Sequence, residues 1–312
     1  MRRSVMTRNG MVPAESERKP FGPGQLLVRT VACGVCAGDV FSYTQRGELA
    51  EGEQRRPGHE GNGIVEEVGE GVEGFSPGDR VTCLCGAYAE YFTAPAGQAV
   101  KLPDSLDPRW ALGEPLSCMV HAMNRMTVGP DDRAAIVGCG FMGSLCLQIL
   151  KSRGAGYVCA VDTLPERREK ALAFGADEAF APEDVPLHED PLKEGTFDAV
   201  VEAAGVGPAL ELCGNMVNHH GAINIVSTHQ TNDGLRTVNM YQWNWKAITI
   251  HQGHVRRTDE KLEALRESVE LMAAGRVDMQ SLVSFYPLDE ADRALQDLVN
   301  RKPGVYKAAL VP

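Results

Sequence analysis

The stretch AAIVGCGFMGSLCLQILKSRGAGYVCAVD, residues 134–162, decides the fold. A short apolar run at 134–137 meets the glycine-rich segment GCGFMG at 138–143. Apolar residues then recur at helical spacing through Leu150, glycines follow, and a second apolar run ends at Asp162. The pattern predicts a strand, a helix and a second strand.

A G-x-G-x-x-G between a strand and a helix predicts a dinucleotide site. Gly138 allows the tight turn, Gly140 lets the backbone approach a pyrophosphate, and Gly143 lets the helix pack closely on the strand. Asp162 can accept hydrogen bonds from ribose hydroxyls. Because its carboxylate would repel a 2'-phosphate, the sequence favours NAD(H) over NADP(H). The positive charge of the nearby Arg167 favours NADP(H) instead.

Composition narrows the function classes. The chain has 312 residues, enough for two domains, and a net charge of -11, which argues against nucleic acid as a partner. No apolar run is long enough to span a bilayer, so we expect no membrane partner. We expect a cytoplasmic location. Nine irregularly spaced cysteines indicate reduced thiols and a metal more than a disulfide framework.

The parts of the chain before and after the glycine-rich segment differ in their pattern of predicted strands and helices. Before the glycine-rich segment, short strand-like runs separated by Gly, Pro and Asp predict an antiparallel, partly barrel-like domain, with strands at 25–31, 63–68, 79–82 and 88–93. After Asp162, strands and helices alternate and predict a doubly wound parallel sheet. The alternating elements are helices at 165–174 and 208–217 and strands at 198–202, 222–226 and 248–251. Helices at 259–274 and 289–300 and a last strand at 306–311 follow them.

Candidate metal ligands lie in the N-terminal part. Cys33-x-x-Cys36 is half of a zinc knuckle, but no second C-x-x-C completes a four-thiolate site. A catalytic zinc needs about three mixed ligands and an open position, which Cys36, His59 and an acid would supply. Taken alone, a histidine such as His59 is more often a packed core or turn residue than a ligand, and a glutamate such as Glu60 is more often a solvated charge.

The motifs GVCAGD at 34–39 and PGHEG at 57–61 resemble those of the zinc-dependent medium-chain alcohol and polyol dehydrogenases. The resemblance continues through GIV, PGDRV, GAYAEY, KLP and VEAAG, and GEPLS at 113–117 looks like the sorbitol and threonine dehydrogenase branch. It implies an α/β protein with two domains. These are a GroES-like, mostly β catalytic domain at 1–115 to which 254–312 returns, and a Rossmann NAD-binding domain with a parallel sheet at 116–253.

The resemblance also implies roles for individual residues. Cys36 and His59 would be the thiolate and imidazole ligands of Zn²⁺, and Glu114 the third ligand or the holder of a metal-bound water. Glu60 resembles the glutamate that can reach the metal, and Asp39 the carboxylate that orients the ligand histidine. Cys33 would not ligate. The cofactor contacts expected in full are Gly138, Gly140, Phe141, Met142, Gly143, Asp162, Arg167, Ala204 and Ser227.

The implied reaction is hydride transfer between NAD(H) and a secondary alcohol or ketone, with a polyol, sugar or cyclitol as substrate, in a homodimer or homotetramer. Arg256 resembles a pocket arginine, with a surface salt bridge as the alternative. The aromatic stretch at 241–246 indicates packing at a subunit edge or a substrate contact.

The chain departs from the family at Gly38 and Phe41, where many members carry a hydroxyl and an imidazole that pass on the alcohol proton. Water, Tyr43 or Glu60 would have to replace them. The lobe that binds a structural zinc in many relatives is absent. Two alternatives stay open: a zinc-free quinone or enone reductase of the same superfamily, and a non-catalytic NAD-binding sensor.

Overall fold

A computed structural model describes residues 1–18, 20–190, 192–193 and 195–312. Its strands are β1 (Arg2–Thr7), β2 (Gly10–Glu15), β3 (Gln25–Gly34), β4 (Glu60–Val68), β5 (Arg80–Cys83), β6 (Tyr91–Pro95), β7 (Ala99–Lys101), β8 (Arg133–Val137), β9 (Tyr157–Val161), β10 (Glu178–Phe180), β11 (Phe197–Glu202), β12 (Val217–Ile225), β13 (Thr249–Gln252), β14 (Val283–Pro287) and β15 (Lys307–Val311). Its helices are α1 (Ala37–Thr44), α2 (Gly113–Asn124), α3 (Phe141–Ser152), α4 (Pro165–Ala173), α5 (Gly207–Met216), α6 (Met240–Trp245), α7 (Thr258–Ala273) and α8 (Ala291–Val299).

These elements form two compact units. The first contains Met1–Ser117 and Arg257–Pro312, and the second contains Cys118–Arg256. Helix α2 includes the boundary between them. No helix in the described part of the chain is long and apolar enough to cross a membrane.

The second unit is built on a six-stranded parallel sheet in the order β10-β9-β8-β11-β12-β13. Counted within the unit, this order is 3-2-1-4-5-6, the doubly wound arrangement in which ligands bind outside the carboxyl ends of the strands where the order reverses. The reversal lies between β8 and β11. The predicted parallel sheet is therefore confirmed.

The glycine-rich segment occupies that reversal point, between the end of β8 and the start of α3. Gly138 has a φ of 98°, and a Cβ there would lie 2.7 Å from the backbone nitrogen of Ala204. A Cβ at Gly143 would lie 1.8 Å from the Gly138 carbonyl oxygen. At Gly140 only an Arg167 nitrogen lies near, at 3.7 Å. Two glycines thus serve close packing, whereas the third leaves the backbone open to a ligand.

The first unit contains a seven-stranded sheet in the order β14-β15-β3-β4-β5-β7, with β6 paired to β3. All pairs are antiparallel except β14 and β15. Strand β15, from the C-terminal end of the chain, pairs with β3 through Ala309 and Gly34, and Gly34 pairs in turn with Glu60 of β4. This register brings the C-terminal strand beside the start of β4.

Several elements differ from the predictions. The hairpin of β1 and β2 was not expected, because β1 buries the polar residues Arg3 and Ser4 and so lacks a period-two apolar pattern. Helices α1 and α2 were not expected either. Helix α1 is only eight residues long and contains a glycine, and a capping box of Cys36 and Asp39 fixes its start.

Candidate active site

Three predicted ligands meet in the first unit. One ligand atom each from Cys36, His59 and Glu60 lie within 4.8 Å of one another. Cys36 caps helix α1, Glu60 is the first residue of β4, and His59 immediately precedes that strand. A thiolate, an imidazole and a carboxylate are the donors that Zn²⁺ takes in proteins, and three protein ligands leave a fourth position for substrate. The residues therefore fit the ion that the sequence predicted.

A hydrogen-bonded chain fixes the loop that carries Cys36. The Tyr88 hydroxyl donates to Asp39 Oδ2 at 2.7 Å, and the same oxygen accepts from the Cys36 backbone nitrogen at 3.3 Å. The Gly38 backbone nitrogen donates to Cys36 Sγ at 3.4 Å. Asp39 thus organises the thiolate loop, and no hydrogen bond between Asp39 and His59 is found among the described residues. The family resemblance had implied that Asp39 contacts the histidine.

Glu60 is held by a lysine that sequence analysis missed. Lys307, the first residue of β15, places Nζ 2.7 Å from Oε1 and 2.6 Å from Oε2 of Glu60. Both side chains are buried. A Cβ at Gly34 would lie 2.0 Å from Glu60 Oε2, so glycine at this position makes room for the carboxylate. Burial raises the pKa of Glu60, and the Lys307 charge opposes that rise.

Neighbouring groups shift the pKa of His59. The hydrogen bond to Cys36 raises the pKa of His59 to about 9 against the opposing effect of burial, and the charges of Cys36, Glu60 and Glu114 add to the rise. A ligand histidine must be neutral, so metal binding at this cluster would displace a proton from His59.

Glu114 lies outside the group of three. It is buried in the first turn of α2, and its Oε1 accepts a hydrogen bond from Lys261 Nζ of α7. The structure therefore brings together three of the four predicted metal ligands and pairs the fourth with a lysine.

The structure gives the surroundings of the residues that bear on the proton route. Phe41 is exposed, and a Cβ at Gly38 would have only Cys36 Sγ nearby, at 3.8 Å. The Tyr43 hydroxyl donates to Asp292 at 2.8 Å. Of the two side chains expected to replace the relay, Tyr43 is thus engaged elsewhere, and Glu60 belongs to the candidate metal cluster.

In the second unit, Asp162 holds the glycine-rich segment. Its carboxylate accepts from the backbone nitrogen of Cys139 at 2.8 Å and from that of Leu164 at 2.9 Å. Arg167 lies 3.7 Å from the same carboxylate. Asp162 and Arg167 therefore lie beside the segment that begins α3, whose first residues are Phe141 and Met142.

A second buried carboxylate, Glu202, joins Ala204 and Ser227. It ends β11 and accepts from the backbone nitrogens of Ala204 at 3.0 Å and Gly205 at 2.7 Å, and from the Ser227 hydroxyl. His229 Nε2 lies 2.8 Å from the same carboxylate. The two predicted cofactor residues are thus neighbours at the carboxyl end of the sheet. Arg256, the last residue of this unit, is exposed.

Lys307, Lys261 and His229 escaped the sequence analysis. One signal was available for Lys307, because it is a charged residue at the start of the apolar strand KAALV. A lysine in such a strand needs a buried partner. Lys261 lies in a helix with many charged residues, where one lysine is not distinguished from the others.

Comparison with known proteins identifies the family. Residues 22–104 match the alcohol dehydrogenase GroES-like domain, and residues 142–274 match the zinc-binding dehydrogenase domain. The chain is 32% identical over 251 residues to an alcohol dehydrogenase of Geobacillus stearothermophilus, covering 68% of this chain and 72% of that protein. The chain belongs to the zinc-type medium-chain alcohol dehydrogenase family.

Other matches agree with this assignment. The chain is 30% identical over 234 residues to (R,R)-butanediol dehydrogenase of Bacillus subtilis, a match that covers 62% of this chain and 64% of that protein. The alcohol dehydrogenase TADH from Thermus sp. ATN1 superposes with a TM-score of 0.84 at 26% identity over 100% of this chain and 99% of that one. The predicted α/β fold, with a GroES-like and a Rossmann domain, is confirmed.

We predict that Lys307→Met destabilises the protein, prepared without metal, by about 3–5 kcal/mol, because it leaves the buried Glu60 carboxylate unpaired. Urea unfolding of the metal-free protein measures the loss. Lys307→Met combined with Glu60→Gln should recover most of it. Arg293→Met removes an exposed pair with Glu290 and serves as the control, with a loss of at most about 1 kcal/mol. Equal losses in the two single variants would contradict the prediction.

Proposed function

We propose that the protein is a zinc-dependent oxidoreductase that transfers a hydride between NAD(H) and a secondary alcohol or ketone. The observation that carries the proposal is the cluster of Cys36, His59 and Glu60, whose ligand atoms lie within 4.8 Å of one another. A polyol, sugar or cyclitol is the proposed substrate class. The similarity to (R,R)-butanediol dehydrogenase supports a substrate with neighbouring hydroxyls.

In the proposed reaction, bound Zn²⁺ supplies Lewis acidity toward the substrate oxygen and NAD supplies the hydride acceptor. Cys36, His59 and Glu60 would hold the ion, and the Tyr88–Asp39 chain keeps the loop that carries Cys36 in place. Because Glu60 would be a ligand and is paired with Lys307 in the interior, and Tyr43 donates to Asp292, we assign the transfer of the alcohol proton towards solvent to water. Arg256 stays a candidate for a hydroxyl contact.

We propose NAD(H) as the cofactor. Gly140 leaves the backbone open where the pyrophosphate would lie, and α3 begins there with its N-terminus. Asp162 places a buried carboxylate beside the same segment, where a 2'-phosphate would be repelled. Arg167 lies 3.7 Å from that carboxylate and partly offsets its charge.

We also infer a reducing compartment, the cytoplasm, because all nine cysteines are free thiols.

The metal assignment predicts that Cys36→Ser and His59→Ala each lose most bound zinc and nearly all turnover. Both should still bind NADH, because the proposed cofactor residues belong to the other unit. Metal analysis, NADH fluorescence titration and NADH formation with a panel of polyols measure the three properties. Cys33→Ser is the matched control and should change none of them. Zinc retained in both variants would mean that the ligands lie elsewhere, and turnover that survives chelation would favour a zinc-free reductase.

The cofactor assignment predicts that Asp162→Ala weakens NADH binding by about 1–3 kcal/mol, because charge-assisted hydrogen bonds to the ribose are lost. NADPH binding should change much less. Asp177→Ala is the control, since Asp177 pairs with Lys151 at 3.0 Å and accepts from Val158. Titration of each variant with both nucleotides gives the comparison. A wild-type protein that prefers NADPH would show that Asp162 has been assigned wrongly.

We propose that the protein forms a homodimer, or a homotetramer built from such dimers, through the edge of the second unit's sheet. Within the described residues, β13 pairs only with β12. Ile250 of β13 is 41% exposed, and Tyr241 and Trp245 of the nearby α6 are 62% and 61% exposed. A strand edge with free backbone groups next to exposed apolar side chains can pair with the same edge of a second copy of the chain.

Replacing both Trp245 and Ile250 with glutamate should then produce monomers, because the added charges repel across the two-fold contact. Sedimentation velocity measures the change. Leu172→Glu, an equally drastic change at another exposed apolar residue of this unit, should leave the assembly intact. An unchanged sedimentation coefficient in the double variant would place the contact on another surface.

A further inference from the structure

The position of Glu114 is set by an ion pair. Its side chain is only 5% exposed, and its Oε1 accepts from the Nζ of Lys261, which is 24% exposed. A hydrogen bond between two charged groups is about twice as strong as a neutral one. At a buried carboxylate such a bond is costly to break, because the charge would be left without a partner.

The packing of helix α7 also bears on the position of Lys261. Leu265 lies one helical turn after Lys261 in α7, so the two side chains share one face of that helix. A Cβ at Gly113 would lie 2.7 Å from Leu265 Cδ1 and 2.8 Å from Thr82 Cγ2. Helix α7 therefore packs directly on the residue that precedes Glu114. The contact places Lys261 over the first turn of α2.

Glu114 is nevertheless close to the candidate metal cluster. Its charge acts on His59 and on Glu60, although its oxygens are not among the ligand atoms that lie within 4.8 Å of one another. Each glutamate near the cluster has its own lysine. Lys307 approaches both oxygens of Glu60, whereas Lys261 bonds Oε1 of Glu114.

We propose that Lys261 is a positioning residue that holds Glu114 beside the zinc site and keeps it off the metal in the resting protein. Cys36, His59 and Glu60 are then the protein ligands. Glu114 is a reserve carboxylate that reaches the metal only when the lysine releases it. This inference rests on the proposed function, because it requires a metal at those three residues.

The physical reason is competition between two cations for one buried carboxylate. While Lys261 is present, direct coordination by Glu114 would break a charge-assisted hydrogen bond. Once the lysine is removed, the buried carboxylate has lost its cation, and a metal at the cluster, whose His59 already feels the Glu114 charge, can replace it. Removing Lys261 should therefore tighten metal binding.

The test is a double-mutant cycle read out as zinc affinity, measured by competition with a chelator. The four proteins are wild type, Lys261→Met, Glu114→Gln and the double variant. We expect Lys261→Met to bind zinc about tenfold more tightly, at the lower end of the range for residues around metal ligands. Glu114→Gln should stay within about threefold of wild type, and the double variant should match Glu114→Gln.

The cycle separates the positioning of Glu114 by Lys261 from the direct effect of the Lys261 charge on the metal. Loss of a positive charge near a cation raises metal affinity by itself, and that gain would persist in the Glu114→Gln background. Persistence of the gain overturns the proposal. An unchanged affinity in Lys261→Met shows a structural lysine and also overturns it, and a weaker affinity shows that Lys261 holds Glu114 on the metal. Visible spectra of the cobalt-substituted proteins give a second measurement, since a new ligand changes the spectrum of Lys261→Met but not that of the double variant.

Matched controls exclude trivial causes. Lys302→Met removes another lysine of the same unit, paired with Asp297 at 2.9 Å, and should leave zinc affinity within about twofold of wild type. Lys261→Arg keeps the charge and should behave as wild type. If Lys261→Met does not fold, Lys261→Gln replaces it in the same cycle, with the same expected signs. Failure of the proposed function gives a different result, because wild type would then bind no zinc or Cys36→Ser would retain it.

Discussion

The buried ion pair of Glu60 and Lys307 is the contact on which the first unit depends. It joins the first residue of β4 to the first residue of β15, strands that lie on either side of β3. Gly34 of β3 leaves the space for the carboxylate, since a Cβ there would overlap it. Neither charge can be removed singly without leaving the other buried and unpaired. The pair therefore ties the C-terminal strand to the loop that carries the candidate zinc ligand His59.

The second unit uses buried carboxylates in a related way, but with backbone partners. Asp162 follows β9 and Glu202 ends β11, and each accepts hydrogen bonds from backbone nitrogens of the loops at that end of the sheet. A carboxylate that satisfies several N–H groups fixes a loop that has no regular secondary structure. The predicted cofactor residues Ala204 and Ser227 are held by Glu202, so their positions depend on a residue that need not touch the cofactor.

Sequence motifs predicted the parts of the site that are local in the chain. The glycine-rich segment and Asp162 follow from a strand–helix–strand pattern, and Cys36 and His59 from short motifs with recognisable ligand types. Lys261 and Lys307 could not be predicted in this way, because their partners lie 147 and 247 residues away. Asp39 was expected to orient the ligand histidine, whereas its carboxylate accepts hydrogen bonds from the fully buried Tyr88 and from the Cys36 backbone. What the sequence left open is therefore the pairing of buried charges, which depends on the packing of distant elements.

The pairing of buried charges sets the net charge of the candidate site, and the net charge decides which chemistry the site favours. The Cys36 thiolate, Glu60 and Glu114 are negative, and Lys307 and Lys261 neutralise the two carboxylates one by one. Only the thiolate lacks a lysine of its own among these groups. A divalent cation that binds beside it leaves the site with a net positive charge, whereas without the two lysines the same ligands would outweigh the cation. A buried positive charge stabilises an oxygen on which negative charge develops, which is the charge change that oxidation of an alcohol requires. The lysines thus contribute to the proposed reaction through the net charge of the site, even though neither needs to touch the substrate.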